Sequence, residues 1–141
     1  SSDQYEKEQK NFVMNRVLEM VYTANNLIDF SRDMEYDGPP FIWNEERRFV
    51  IQCELDSLYF HLYGITFEFV GFVLDSFSVL RRKDIELYGS YRTKEKILEI
   101  YDRMKAAMEG GPAFVSELNP PPGPPAEWPP KGEWPSHIHK A

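Results

Sequence analysis

The placement of proline divides this chain into two parts that cannot fold in the same way. Nine of the 11 prolines lie in residues 112–141. Because proline lacks a backbone N–H and its ring fixes φ, a segment this rich in proline cannot build a helix or a sheet and favours an extended conformation. We therefore predict a helical domain over residues 1–111 and a proline-rich C-terminal tail over residues 112–141.

The tail also carries large apolar side chains, which favour burial. They are Phe114, Trp128, Trp134 and Ile138. We expect part of the tail to lie along the helical domain, with these side chains in surface grooves. The alternative is that residues 120–135 dock on a partner protein, as polyproline segments do.

Apolar residues in the first 111 positions recur at three- and four-residue spacing, which is typical of amphipathic helices. Asn44 and Thr66 are good N-caps, and Gly64 is a typical helix stop. We predict an all-α fold, a small bundle of about four main helices. These run over about residues 5–30, 44–63, 67–76 and 93–108, with a short helical turn at 82–88.

The second predicted helix is apolar on two nearly opposite faces, which indicates a central position in the bundle. Glu54 lies between these faces and is expected to be partly buried. A buried carboxylate needs a cationic partner. We predict a structural ion pair between Glu54 and either Arg82 or Arg92.

Composition narrows the class of protein. The net charge of −7 argues against indiscriminate nucleic-acid binding. A single cysteine, Cys53, forbids an internal disulfide and favours a cytoplasmic location. No apolar run approaches the roughly 20 residues that a membrane-spanning helix needs, so we predict no membrane contact.

One segment departs from the acidic character of the chain. Residues 78–105 contain eight basic and five acidic side chains, a net charge of +3. One interpretation is that basic side chains here contact nucleic-acid phosphate, with a tyrosine beside them. The residues proposed for this are Arg81, Lys83, Tyr91, Lys94 and Lys96. The other is that Arg82 and Arg92 pair with Glu54 or Asp56 while the lysines face water.

No recognisable catalytic motif occurs in the sequence. It contains no glycine-rich phosphate loop, no dinucleotide-binding fingerprint and no nucleophile elbow. His137 and His139 are too few to complete a zinc site. We therefore predict no catalytic, cofactor-binding or metal-binding residue in this chain.

Several phrases of the sequence together resemble a known family. They are YDGPPF at 36–41, WNEERR at 43–48, ELD at 54–56, LYG at 62–64, RRKD at 81–84, YRTK at 91–94 and PPP at 120–122. This set is similar to the C-terminal region of large adenine-specific DNA methylases of restriction–modification and phage-defence systems. The resemblance covers about residues 22–125.

The resemblance implies an indirect function. In that family, S-adenosylmethionine and the catalytic motif belong to a domain far upstream, and neither can be placed on this chain. The chain is then expected to be a non-catalytic accessory domain that helps to bind or position DNA or braces neighbouring domains. Its implied partners are the upstream domains of the parent polypeptide and possibly DNA.

The sequence departs from the family pattern at Phe67 and Phe69, where the family has charged residues. Two exposed phenylalanines would indicate contact with the body of the enzyme or with a partner. The alternative function is a protein–protein interaction module whose proline-rich tail docks on a partner without nucleic-acid contact.

Overall fold

The structure, a computed structural model, describes residues 2–124, and the regular elements in this range are helices. The predicted all-α fold is confirmed. The helices are α1 (Ser2–Val21), α2 (Ile28–Asp33), α3 (Glu45–Leu62), α4 (Phe67–Asp75), α5 (Ser78–Tyr88) and α6 (Arg92–Met108), with a 3-10 turn at Asn25–Leu27.

The chain forms two compact units, and their boundaries do not fall at residue 112. The described part of the first unit comprises residues 2–51 and 116–124. The second comprises residues 52–115. Helix α3 therefore contributes its first turns to one unit and the rest of its length to the other.

The prediction of a single helix over residues 5–30 is wrong, because α1 ends at Val21 and a turn separates it from α2. The backbone carbonyl of Tyr22 accepts a hydrogen bond from the N–H of Phe41, at 2.8 Å. This bond joins residues far apart in the sequence. A continuous helix would have used that carbonyl within the helix itself.

The core of the first unit is aromatic. Tyr36 contacts Tyr22 edge to face at 5.9 Å between ring centroids and stacks on Phe41 at 5.5 Å. The hydroxyl of Tyr36 donates to the carbonyl of Pro39 at 2.9 Å, which satisfies its polar end. Leu18 completes the buried cluster.

A buried ion pair holds a C-terminal segment, residues 116–124, on the first unit; we call this segment the strap. The carboxylate of Glu19 accepts two hydrogen bonds from Arg47, each of 2.9 Å. It also accepts one from the N–H of Gly123 at 3.1 Å. Arg47 donates in turn to the carbonyl of Pro120 at 2.7 Å. Side-chain groups thus satisfy the backbone of a segment that has no regular structure.

Gly123 is required by the geometry of the strap. Its φ is +101°, and a Cβ atom there would lie 2.9 Å from the Cβ of Asn15. No larger residue fits without movement of the strap. The predicted packing of Trp128 and Trp134 falls outside the described residues.

The second unit packs α4 and α5 on α6. Its buried apolar side chains are Leu55, Leu58, Val70, Leu74, Ile97, Ile100, Tyr101 and Met104. The hydroxyl of Ser57 on α3 donates to the carbonyls of Cys53 and Ile97, and His61 is 2.9 Å from the carbonyl of Tyr101. The predicted central position of this helix agrees with the burial of Leu55, Leu58 and Cys53.

Helix α5 is longer than the helical turn predicted at 82–88, since it begins at Ser78. Its only buried residue is Asp84, whose carboxylate accepts a hydrogen bond from the N–H of Thr93 at 2.8 Å. Asp84 thereby caps α6, whose own N-cap residue, Tyr91, makes no side-chain cap. Gly89, with φ +78°, ends α5.

Burial of Cys53 leads to a prediction on thiol reactivity. Burial raises the pKa of the Cys53 thiol to about 12, with Asp56 adding to the rise and the charges of Lys96 and Arg92 opposing it. Because the thiolate is the reactive species, we expect no labelling of the native chain by a disulfide reagent at pH 8. Labelling should appear in urea at the concentration where far-UV circular dichroism reports unfolding. Complete labelling of the native chain would contradict the burial.

Candidate interaction surface on α4 and α5

The two lysines predicted to contact phosphate form ion pairs within the second unit. Lys94 Nζ lies 2.8 and 2.9 Å from the two carboxylate oxygens of Asp75. Lys96 Nζ lies 3.4 Å from a carboxylate oxygen of Glu99, one turn along α6. Because the neighbouring carboxylate offsets its charge, a paired lysine attracts a phosphate less strongly than an unpaired lysine does.

Tyr91 lies inside the unit. Its side chain is 8% exposed, and its hydroxyl donates to the backbone carbonyl of Leu74 at 2.6 Å. The ring therefore anchors the start of α6 to the end of α4. Burial leaves no open ring face on which a base could stack.

Arg81, Arg82 and Lys83 have a different environment. All three are exposed on α5. None of them forms a salt bridge or a side-chain hydrogen bond with any residue between 2 and 124. The structure thus separates the predicted basic residues into two groups. Lys94 and Lys96 are paired, whereas Arg81 and Lys83 have no ion-pair partner among residues 2–124.

Two aromatic rings stand on the outer face of α4. Phe69 and Phe72 are 53% and 69% exposed, and their rings stack at 5.7 Å between centroids. The opposite face of α4 is buried through Val70 and Leu74. A helix that is apolar on both faces, with only one of them covered, indicates that the second face meets another surface.

Helix α5, which two residues separate from α4, also exposes apolar side chains. An open depression of about 460 Å³ is lined by Phe77, Ser78, Val79, Leu80 and Lys83. A second one of about 290 Å³ is lined by Asp75, Ser78, Arg81, Arg82, Ile85 and Glu86. We call the exposed side chains of Phe69, Phe72, Phe77, Val79, Leu80, Arg81, Arg82 and Lys83 the α4–α5 surface.

The sequence prediction of two exposed phenylalanines is right for Phe69 only. Phe67 is partly buried and lies 6.1 Å from the ring of Tyr101. The sequence reading missed Phe72 and Phe77. The sequence does indicate exposure of an apolar residue on α4, because this helix carries more apolar residues than one buried face can hold.

Glu54 is wholly buried on α3, which exceeds the partial burial expected from the sequence. Of the two arginines considered as its partner, Arg82 is exposed. Arg92 is partly buried, donates to the hydroxyl of Tyr88 at 2.8 Å, and its charge acts on Cys53, the residue next to Glu54. These positions favour Arg92, and the pairing itself stays a prediction.

The described residues contain no cluster of three or more histidine, cysteine, aspartate or glutamate side chains with metal-binding geometry. Within the same range, none of the helices combines the length and the apolar character needed to cross a lipid bilayer.

Comparisons with known proteins add no identification. The chain matched no protein-family model, no curated protein and no solved structure. The resemblance to adenine-specific DNA methylases therefore stays a prediction from the sequence motifs.

Proposed function

We propose that this chain is a non-catalytic accessory domain that docks on another protein through the α4–α5 surface. The observation that carries this proposal is the exposed, stacked pair of Phe69 and Phe72 on a helix whose other face is buried. Aromatic side chains and arginine are enriched at the cores of protein interfaces. In a methylase of the kind that the motifs resemble, such docking would brace a neighbouring domain.

The chemistry of the surface favours a protein partner over nucleic acid. Val79 and Leu80 are exposed next to the cations, and aliphatic side chains add nothing to a phosphate contact. Tyr91, the aromatic residue predicted to lie near a base, is buried. Exposed apolar groups instead match a partner with apolar side chains of its own.

A photocrosslinking experiment tests the docking function. Phe72 is replaced by p-benzoylphenylalanine in the natural protein, expressed from its own gene, and cells are irradiated. We expect crosslinked peptides from outside this sequence of 141 residues. Val115 serves as the matched control, since it is 71% exposed, close to the 69% of Phe72, and lies beyond the far end of α6.

The outcomes separate the alternatives. Protein adducts specific to position 72 support docking on another protein. Adducts with nucleic acid alone, adducts with a second copy of this sequence alone, or the same adducts from positions 72 and 115 would overturn the proposal.

The second candidate function is contact with DNA phosphate, which is favoured because Arg81 and Lys83 form no ion pair within the described part of the chain. Such contacts predict binding to a short duplex that weakens steeply between about 50 and 200 mM salt. Fluorescence anisotropy should show this binding, and Arg81→Glu/Lys83→Glu should abolish it. The charge-matched variant Lys7→Glu/Lys10→Glu on α1 should retain it. Absence of binding at the lower salt concentration rejects the DNA function.

A further inference from the structure

The strap presents backbone acceptors and a single backbone donor near its end. Residues 120–124 read Pro-Pro-Pro-Gly-Pro, and proline has no backbone N–H. The N–H of Gly123 is therefore the only backbone donor in this stretch, whereas each of its residues has a carbonyl acceptor. A site that holds such a segment must supply an acceptor for the glycine and donors for the prolines.

Glu19 and Arg47 supply this complementary set. The carboxylate of Glu19 accepts a hydrogen bond from the N–H of Gly123 at 3.1 Å. The guanidinium of Arg47 donates to the carbonyl of Pro120 at 2.7 Å and holds Glu19 through two further bonds. Glu19 is only 6% exposed. The site therefore contains a buried, oriented acceptor for the one donor of the strap.

The site also selects the residue at position 123 by its size. The φ of Gly123 is +101°, and a Cβ atom there would lie 2.9 Å from the Cβ of Asn15. Only glycine accepts both the conformation and the space. The neighbouring Pro122 is buried as well. These contacts together recognise a proline-rich segment with glycine at one fixed position.

The strap buries too little surface to be an inseparable part of the unit. Among residues 116–124, only Pro122 and Gly123 are buried, and the strap belongs to none of the helices. A segment of this kind opens locally, at a lower free energy than the unfolding of the whole unit. Its prolines also limit the conformational entropy that is lost when it binds again. The strap and its site are thus a ligand and a receptor within one chain.

We infer that the strap of one copy of this chain occupies the Glu19–Arg47 site of a second copy, so that two copies associate by exchange of straps. Each copy carries both ligand and receptor, so exchange re-forms the same hydrogen bonds and is a low-cost route to a dimer. Within one copy, the short connection favours the chain's own site at an effective concentration of about 1 mM. Exchange therefore increases with protein concentration.

This inference is independent of the docking proposed for the α4–α5 surface. Its residues all lie in the first unit, whereas α4 and α5 belong to the second. Failure of strap exchange would leave the docking function intact, and adducts from position 72 do not report on the strap.

Mixing of two variants tests the exchange. Gly123→Val keeps the site but has a strap that no longer fits, and Arg47→Met keeps the strap but loses the donors of the site. The ¹⁵N-labelled Gly123→Val chain is titrated with the unlabelled Arg47→Met chain up to about 1 mM. We expect the amide signals of Glu19 and Arg47 in the labelled chain to return toward their positions in the unaltered chain, because a strap fills the site again.

The control partner is the double variant Arg47→Met/Gly123→Val, which has neither an intact site nor a strap that fits. It should leave the signals of the labelled chain unchanged. Signals that fail to return with Arg47→Met, or that return equally with the double variant, overturn the inference.

A second measurement uses the unaltered chain, so it does not depend on the folding of a variant. A synthetic peptide of residues 116–124 is added to the ¹⁵N-labelled chain at about 10 mM, roughly tenfold above the effective concentration of the tethered strap. The Gly123 signal of about nine chains in ten should move toward its position in the free peptide. The same peptide with Gly123→Val should have no effect. A Gly123 signal that does not move, or that moves equally with both peptides, overturns the separation of ligand and receptor.

Discussion

Glu54→Gln is expected to lower the free energy of unfolding of the second unit by about 3 kcal/mol. Glu54 is wholly buried, and glutamine keeps its size while removing its charge. If Arg92 is the counter-charge, the substitution leaves a partly buried guanidinium without it. The measurement is urea unfolding at pH 7, followed by far-UV circular dichroism.

The two candidate arginines provide a matched pair of variants for this test. Arg92→Gln should destabilise the unit, and the double variant with Glu54→Gln should lose less stability than the sum of the single variants, by about 1–3 kcal/mol. Arg82→Gln, at an exposed position, should leave the free energy of unfolding unchanged within error. Coupling of Glu54 to Arg82, or no effect of Glu54→Gln, would contradict the proposed pair.

Arg47→Met is expected to lower the free energy of unfolding of the first unit by about 2–3 kcal/mol. Methionine keeps most of the apolar stem of the arginine side chain but has no hydrogen-bond donor in its side chain. Glu19, which is 6% exposed, would lose its cation, and the carbonyl of Pro120 would lose its 2.7 Å bond. Urea unfolding measures the stability. Hydrogen exchange at Gly123 should be faster than in the unaltered chain, because the strap is released.

The control for Arg47→Met is the same substitution at Arg32, in the same unit. Arg32 and Asp29 form an ion pair of 3.7 Å, with side chains 64% and 94% exposed. Exposed pairs of this kind contribute little to stability, so Arg32→Met should change neither the unfolding curve nor the exchange at Gly123. Equal effects of the two substitutions would show that the pair of Glu19 and Arg47 contributes no more to the free energy of unfolding than the exposed pair of Arg32 and Asp29.

Local signals in the sequence were sufficient to place α3 and α4. Asn44 caps α3 through a hydrogen bond from the N–H of Arg47, and Thr66 caps α4 through one from the N–H of Phe69. Gly64 adopts a left-handed conformation with φ +69°, as a helix stop requires. Each signal acts within about one helical turn, so it can be read from neighbouring residues.

Signals that depend on residues distant in sequence could not be read in this way. The end of α1 involves a hydrogen bond between Tyr22 and Phe41. The extent of α5 was missed because its one buried residue, Asp84, is a charged cap for another helix and gives no apolar periodicity. The strap is held by Glu19, 104 residues before Gly123.

The sequence by itself determined the all-α class, the positions of α3, α4 and α6, and the basic character of the segment around α5. Only the tertiary structure decided that Lys94 pairs with Asp75 and that Arg81 and Lys83 remain unpaired among the described residues. It also decided that Phe72 is exposed while Tyr91 is buried. The physical reason is that helix formation follows from neighbours within one or two turns. Pairing and exposure instead depend on distances between residues that folding brings together.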